Sequence, residues 1–194
     1  GGAITTVAGN GLFGYNGDGM AATQASFTNP NGLAVDADGV LYIADTGANR
    51  VRRVGVNGEI TTVAGAGQSA FNGDGLAATA TTLHAPYDVA IEVDGSLLIA
   101  DTLHHRVRRV RADGIVETVA GNGSFPYSGD GLPGAQTALP FPWRLEIDSA
   151  GRLFIASGGW GWYGELRLVT LRADATLTTV AGGGEESMIG GDIV

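Results

Sequence analysis

The segment Ile4-Thr-Thr-Val-Ala-Gly9 returns as Ile60-Thr-Thr-Val-Ala-Gly65, as Val116-Glu-Thr-Val-Ala-Gly121 and as Leu177-Thr-Thr-Val-Ala-Gly182. The steps from Ile4 to Ile60 to Val116 are 56 residues each, and the last step, to Leu177, is 61. Gly17-Asp18-Gly19 recurs on the same period at 73–75 and 129–131, and Pro30 recurs as Pro86 and Pro142. A period held at so many positions makes the chain an array of equivalent units, each burying its apolar surface against its neighbours.

Each unit contains four short strand candidates. In the first they are Leu33–Val35, Leu41–Ala44, Arg50–Val54 and Glu59–Val63. Asp38-Gly39 and Asn57-Gly58 punctuate them, and Asp94-Gly95 and Asp113-Gly114 do so in the second unit. Such dipeptides supply the positive φ of tight hairpin turns. Many of the 33 glycines therefore read as turn residues, and 44% hydrophobic content excludes a disordered tract. The expected class is all-β, a β-propeller of four-stranded antiparallel blades.

The runs Pro30-Asn-Gly-Leu-Ala-Val-Asp36, Gly39-Val-Leu-Tyr-Ile-Ala-Asp45 and Asn49-Arg50-Val51 resemble an NHL repeat. Val7-Ala-Gly-Asn-Gly followed by Tyr15-Asn-Gly-Asp-Gly19 resembles the extended version found in bacterial proteins of that family. The resemblance covers essentially the whole chain. It implies a propeller, most often six-bladed, that serves as a binding platform at an extracellular, cell-surface or periplasmic location.

The register places a lone outer strand at 4–8, blade 1 at about 30–65, blade 2 at about 86–121 and blade 3 at about 142–182, with 183–194 opening another inter-blade loop. Three blades do not close a ring, because exposed blade faces and strand edges must be covered. Additional blades are expected from a longer chain or from a second copy. Edge-to-edge pairing of copies into a fibre or shell is a further alternative.

A net charge of −9 weighs against nucleic acid and anionic lipid. The Arg-Val-Arg-Arg runs at 50–53 and 106–109 alternate between faces and make no basic stripe. There is no cysteine, so thiol chemistry is excluded, and no apolar run approaches the length of a membrane helix.

Candidate functional residues fall in loops. Asp18, Asp74 and Asp130 are expected to pin the long inter-blade loops by accepting from backbone amides. Asp45 with Arg50, and Asp101 with Arg106, are expected to form ion pairs across the loop between strands two and three. Blade 3 keeps Arg167 but carries Ser157 in place of the Asp, followed by the insertion Gly158-Gly-Trp-Gly-Trp-Tyr-Gly-Glu165. Trp160, Trp162 and Tyr163 there suit stacking on a protein or carbohydrate partner. His104 and His105 occupy the same position in blade 2 and read as surface-loop residues, while His84 has no evident partner. No catalytic constellation, metal site or cofactor is expected. The enzymatic alternative is a propeller lyase or hydrolase with a metal at the channel mouth, for which Arg144 and Glu146 are the irregular inner-strand residues.

Overall fold

In a computed structural model, residues 2–158 and 166–183 are described. The described residues form thirteen strands and four short 3-10 turns, without an α-helix. A two-residue strand, β1 (Met20–Ala21), precedes the first blade. Blade 1 is β2 (Pro30–Val35), β3 (Leu41–Asp45), β4 (Arg50–Val54) and β5 (Glu59–Ala64). Blade 2 is β6 (Pro86–Ile91), β7 (Leu97–Asp101), β8 (Arg106–Val110) and β9 (Val116–Ala120). Blade 3 is β10 (Pro142–Ile147), β11 (Leu153–Ser157), β12 (Arg167–Leu171) and β13 (Leu177–Gly182). Each blade is an antiparallel meander in sequence order. This is the propeller blade that the repeat dictates.

Alternation along each strand gives every blade two apolar faces. Ala34, Tyr42, Ala44 and Val51 of blade 1 pack against Val89, Leu97, Ile99 and Val116 of blade 2. On the opposite face of blade 2, Ala90, Leu98, Ala100 and Val107 meet Leu145, Leu153, Ile155 and Val169 of blade 3. Ile43, Val54 and Ile60 of blade 1 are covered by Ala22, Ala25 and Phe27 from the loop before it. The cores therefore lie between blades.

The innermost strands β2, β6 and β10 stand side by side, with β6 in contact with both of the others. The approach at β2 and β6 is close. A Cβ on Gly32 would lie 2.4 Å from the Asp88 Cα and 2.8 Å from the Tyr87 carbonyl oxygen, so only glycine fits there.

Two expectations change. Residues 4–8 form no strand, and Ile4 is fully exposed. The three strands with which an outer fourth strand would pair are not among the described residues. Nor are the outer blade edges open. Met20–Ala21 pairs with Glu59–Ile60 at the edge of blade 1. Single bridges, Ala77 to Ile115 and Pro133 to Thr176, stand at the equivalent places of blades 2 and 3. Backbone bonds of 2.7–2.9 Å from Gly19, Ala22, Gly75, Ala78, Gly131 and Gly134 complete these clips. Each inter-blade loop thus covers the start of the outer edge of the blade that follows it, which shortens the edge available for edge-to-edge assembly.

Candidate functional site

The Gly-Asp-Gly loops hold those clips in place, by the expected backbone amide in blade 3 and by side-chain donors in blades 1 and 2. Asp18 Oδ1 accepts from Arg52 Nη2 at 2.8 Å and from Thr62 Oγ1 at 3.0 Å. Asp74 repeats this with Arg108 at 2.7 Å and Thr118 at 3.0 Å. Arg52 and Arg108 are both 0% exposed. A guanidinium buried this deeply needs a charged partner, and the loop aspartate supplies it. In blade 3 the equivalent position is Val169, so Asp130 instead accepts from the Thr179 amide and hydroxyl and from the Tyr127 hydroxyl. Burial and the bond to Asp130 push the Tyr127 hydroxyl up to about 12.

The expected Asp45–Arg50 and Asp101–Arg106 ion pairs are also replaced. Asp45 and Asp101 are buried, and each accepts a backbone amide from the loop before its own blade: Thr28 N–H at 2.7 Å and His84 N–H at 2.8 Å. Burial raises the Asp45 carboxyl above the usual range, outweighing the Thr28 bond and the nearby arginines. Arg50 donates to the Ala48 and Ala66 carbonyls, and Arg106 to those of His104 and Asn122. Each lies over an aromatic ring of the loop: Arg50 over Tyr15 at 4.0 Å, Arg106 over Phe71 at 3.9 Å, and Arg167 over Tyr127 at 4.7 Å. The spacing of Tyr15, Phe71 and Tyr127, again 56, was the sequence signal for this pairing.

The three histidines gather at blade 2. His104 is not a surface residue: it is 7% exposed, with Nδ1 2.8 Å from Asp101 Oδ2 and Nε2 2.8 Å from the Ser69 carbonyl. Arg108 Nη1 reaches the same Asp101 oxygen at 3.4 Å. The His84 ring meets His104 edge-on, with centroids 5.5 Å apart. His105 is half-buried, and its Nδ1 accepts the Phe141 N–H of the next blade at 3.1 Å. Asn49 does the same in blade 1, accepting from Ala85 N–H at 2.8 Å. Both acceptors sit in the left-handed conformation, at φ 54° and 55°. Burial, then Arg106, lowers the His105 pKa, and burial, then His104, lowers that of His84. Thr46 and Thr102 hydroxyls add inter-blade bonds of 2.7 Å to the Pro86 and Pro142 carbonyls.

Two surfaces remain after these structural roles. The inner strands line a groove of about 580 Å3 bounded by Leu33, Val35, Asp88, Arg144, Glu146 and Phe154. Asp88 accepts from Leu145 N–H at 2.9 Å, lies 3.7 Å from Arg144, and has its pKa raised by burial. Among the described residues no three His, Asp or Glu side chains gather as a metal site.

The second surface is the loop face beside the strand two to three turns. Phe13 (83% exposed), its neighbour Leu12 and Phe125 (63% exposed) project there. Phe13 and Phe125 are the same repeat position, 112 residues apart. Phe125 lies against His105 at 5.7 Å and Phe141 at 6.4 Å, and Phe141 and Pro140 accept from Gly158 N–H at the root of the blade 3 insertion. Trp160, Trp162 and Tyr163 lie outside the described residues.

Residues 14–72 match the family model described as the teneurin NHL domain. The match supports an NHL-type repeat. Human teneurin-4 is 37% identical over 103 residues, which is 46% of this chain and 4% of the teneurin. Teneurin-1 of Caenorhabditis elegans is 28% identical over 142 residues, 68% of this chain and 5% of the relative. The chain thus spans about a twentieth of these proteins. Among solved structures, a Xanthomonas campestris gluconolactonase superposes with a TM-score of 0.59 at 17% identity, covering 80% of this chain and 48% of that one. A protein of unknown function from Bacteroides thetaiotaomicron gives 0.57 at 21% identity, covering 78% and 35%. At these identities the structures share the fold.

Proposed function

We propose that this chain is part of a larger NHL-type propeller whose work is non-catalytic recognition of a protein partner, at an extracellular or cell-surface location. The observation that carries the reading is the exposure of Phe13, Leu12 and Phe125 on one loop face of a rigid scaffold. Large rings held out by a folded array offer contact area at low ordering cost. The buried Asp, Arg and His residues are committed to holding blades and loops together, which supplies that rigidity. The insertion with Trp160, Trp162 and Tyr163 joins β11 to β12, whose ends lie on the same face, and we assign it to the same recognition surface. Similarity to teneurin sequences and to the extended repeat is consistent with a scaffold of this kind.

The test is a binding screen of the intact natural polypeptide against cell-surface ectodomains and a glycan array. Two double variants, Phe13→Ser with Phe125→Ser and Trp160→Ala with Trp162→Ala, should each weaken a selective protein interaction at least tenfold while the melting temperature holds. Binding that survives both pairs of substitutions refutes the assignment. A glycan hit lost in the tryptophan variant would turn it toward carbohydrate.

A further inference from the structure

Blades 1 and 2 build the same buried junction from the same backbone, with Ala48 in blade 1 where blade 2 has His104. Asp101, His104, Arg108 and Ser69 of blade 2 stand 56 residues after Asp45, Ala48, Arg52 and Phe13 of blade 1. The two 3-10 turns, Thr46–Ala48 and Thr102–His104, match in dihedral angles at their ends. Gly47 N–H donates to the Thr28 carbonyl as Leu103 N–H donates to that of His84. In blade 2 the imidazole of His104 fills the space between Asp101 and the Ser69 carbonyl, and Asp101 Oδ2 is shared with Arg108 Nη1.

In blade 1 the methyl of Ala48 stands where that ring is. Asp45 Oδ2 and Arg52 Nη1, the counterparts of the two atoms joined in blade 2, are buried without a protein partner. Both residues are 0% exposed. A buried carboxylate oxygen and guanidinium N–H left unpaired are each costly, and such groups retain a small molecule that bonds to both. The difference between the two side chains is one imidazole ring, room for about two waters at their liquid volume. In blade 3 the carboxylate and the arginine are lost together, as Ser157 and Val169, so no unpaired charge arises there.

We propose that the Ala48 position in blade 1 is a buried binding site for a small neutral molecule that donates to Asp45 Oδ2 and accepts from Arg52 Nη1. Water is its everyday occupant, and the N–H of an imidazole-sized heterocycle can donate to Asp45 Oδ2 as the His104 ring meets Asp101 Oδ2 in blade 2. The site lies beneath Tyr15, whose ring covers Arg52 at 4.8 Å, so entry requires the loop before blade 1 to lift.

The experiment is native-state hydrogen exchange of β3 and β4 amides in the intact natural polypeptide, with imidazole, held at a pH where it is neutral, as the probe. Ala48→His should raise protection about tenfold or more by supplying the ring covalently. Ala48→Leu fills similar volume without a polar atom and should lower protection by a similar factor. Millimolar imidazole should protect the native chain saturably and leave A48H unchanged. Variants that shift protection in the same direction overturn the proposal: both up means a dry void, both down means no room. Imidazole without effect on the native chain overturns it as well.

Discussion

The His105 junction allows a prediction in which the protein supplies its own control. His105 and Asn49 occupy one repeat position, share the left-handed conformation, and each accept an N–H from the following blade. His105→Ala removes the acceptor of the Phe141 N–H, at a cost of roughly 1–3 kcal/mol. It also removes the edge-on contact with Phe141, whose centroid is 4.4 Å away, for about 1 kcal/mol. The expected loss is about 3 kcal/mol, or roughly 6–12 °C in melting temperature for a domain of this size. His105→Asn keeps the acceptor and suits the backbone, so it should lose only the ring contact, about 1 kcal/mol. A protonated ring cannot accept at Nδ1, and its folded-state pKa lies below 6.5 because burial and then Arg106 disfavour the cation. The unfolded chain therefore binds the proton first as pH falls. The stability that neutral His105 contributes is present above pH 6.5 and is lost on acidification through the lowered value, with a slope of up to about 1.4 kcal/mol per pH unit. Thermal or denaturant unfolding between pH 8 and pH 5 should show a shallower dependence in the Asn variant, with the part from His84 retained. Equal losses in the Ala and Asn variants, or an Asn variant that keeps the full slope, would refute the reasoning.

The loop clips should differ by blade. Asp74→Ala strips a charged partner from buried Arg108 and should cost about 2–3 kcal/mol in unfolding experiments. Asp130→Ala, with Val169 at the equivalent core position, should cost about half as much. Arg108→Ala exposes Asp101, His104 and Asp74 to loss of a common partner and should cost about 3–5 kcal/mol, the largest effect of any single blade 2 substitution considered. Asp88→Asn keeps an oxygen to accept Leu145 N–H while removing a carboxylate that burial disfavours. It should leave stability at pH 7 equal or higher, and abolish the gain that Asp88 contributes as pH falls from its raised pKa toward 3.8, read from unfolding curves across that window.

The repeat made the blades legible because its cues are local: Asp-Gly and Asn-Gly turns, alternating apolar runs, and a period that any one blade shares with the next. The strand candidate Arg50–Val54 and the observed β4 coincide. What the sequence did not reveal was the partner of many polar groups, since these partners lie across blades or in the loop before the blade, from 17 residues away for Asp45 to 34 for Arg52. Asp45 looked paired with Arg50 because they are neighbours in the chain, yet the carboxyl turns to the Thr28 amide and the guanidinium to Tyr15. Arg52 was expected to fall on one face of an alternating strand, and that face is the blade core, where it is 0% exposed. The aromatic at 15, 71 and 127 carried the missing signal, because its period matches that of the arginine it covers. His104 and His105 were read together as neighbours, but one is interior and the other bridges blades.

The edge clips bear on assembly as well as on stability. An array of blades has two kinds of exposed surface, its outer strand edges and its terminal faces. The edges are met blade by blade, through an Asp that anchors the loop and a following glycine amide that bonds the fourth strand. The terminal faces are not met in the same way: Leu33 and Val35 remain more than half exposed on the inner strand of blade 1. Their counterparts in blade 2, Val89 and Ile91, pack against blade 1. The association proposed with further blades would therefore be directed to blade faces, where the side-chain pattern repeats the one already seen at two internal junctions. The recognition proposed for the loop face would be left free, because closing a ring by its faces would not use the loop tips that carry Phe13 and Phe125.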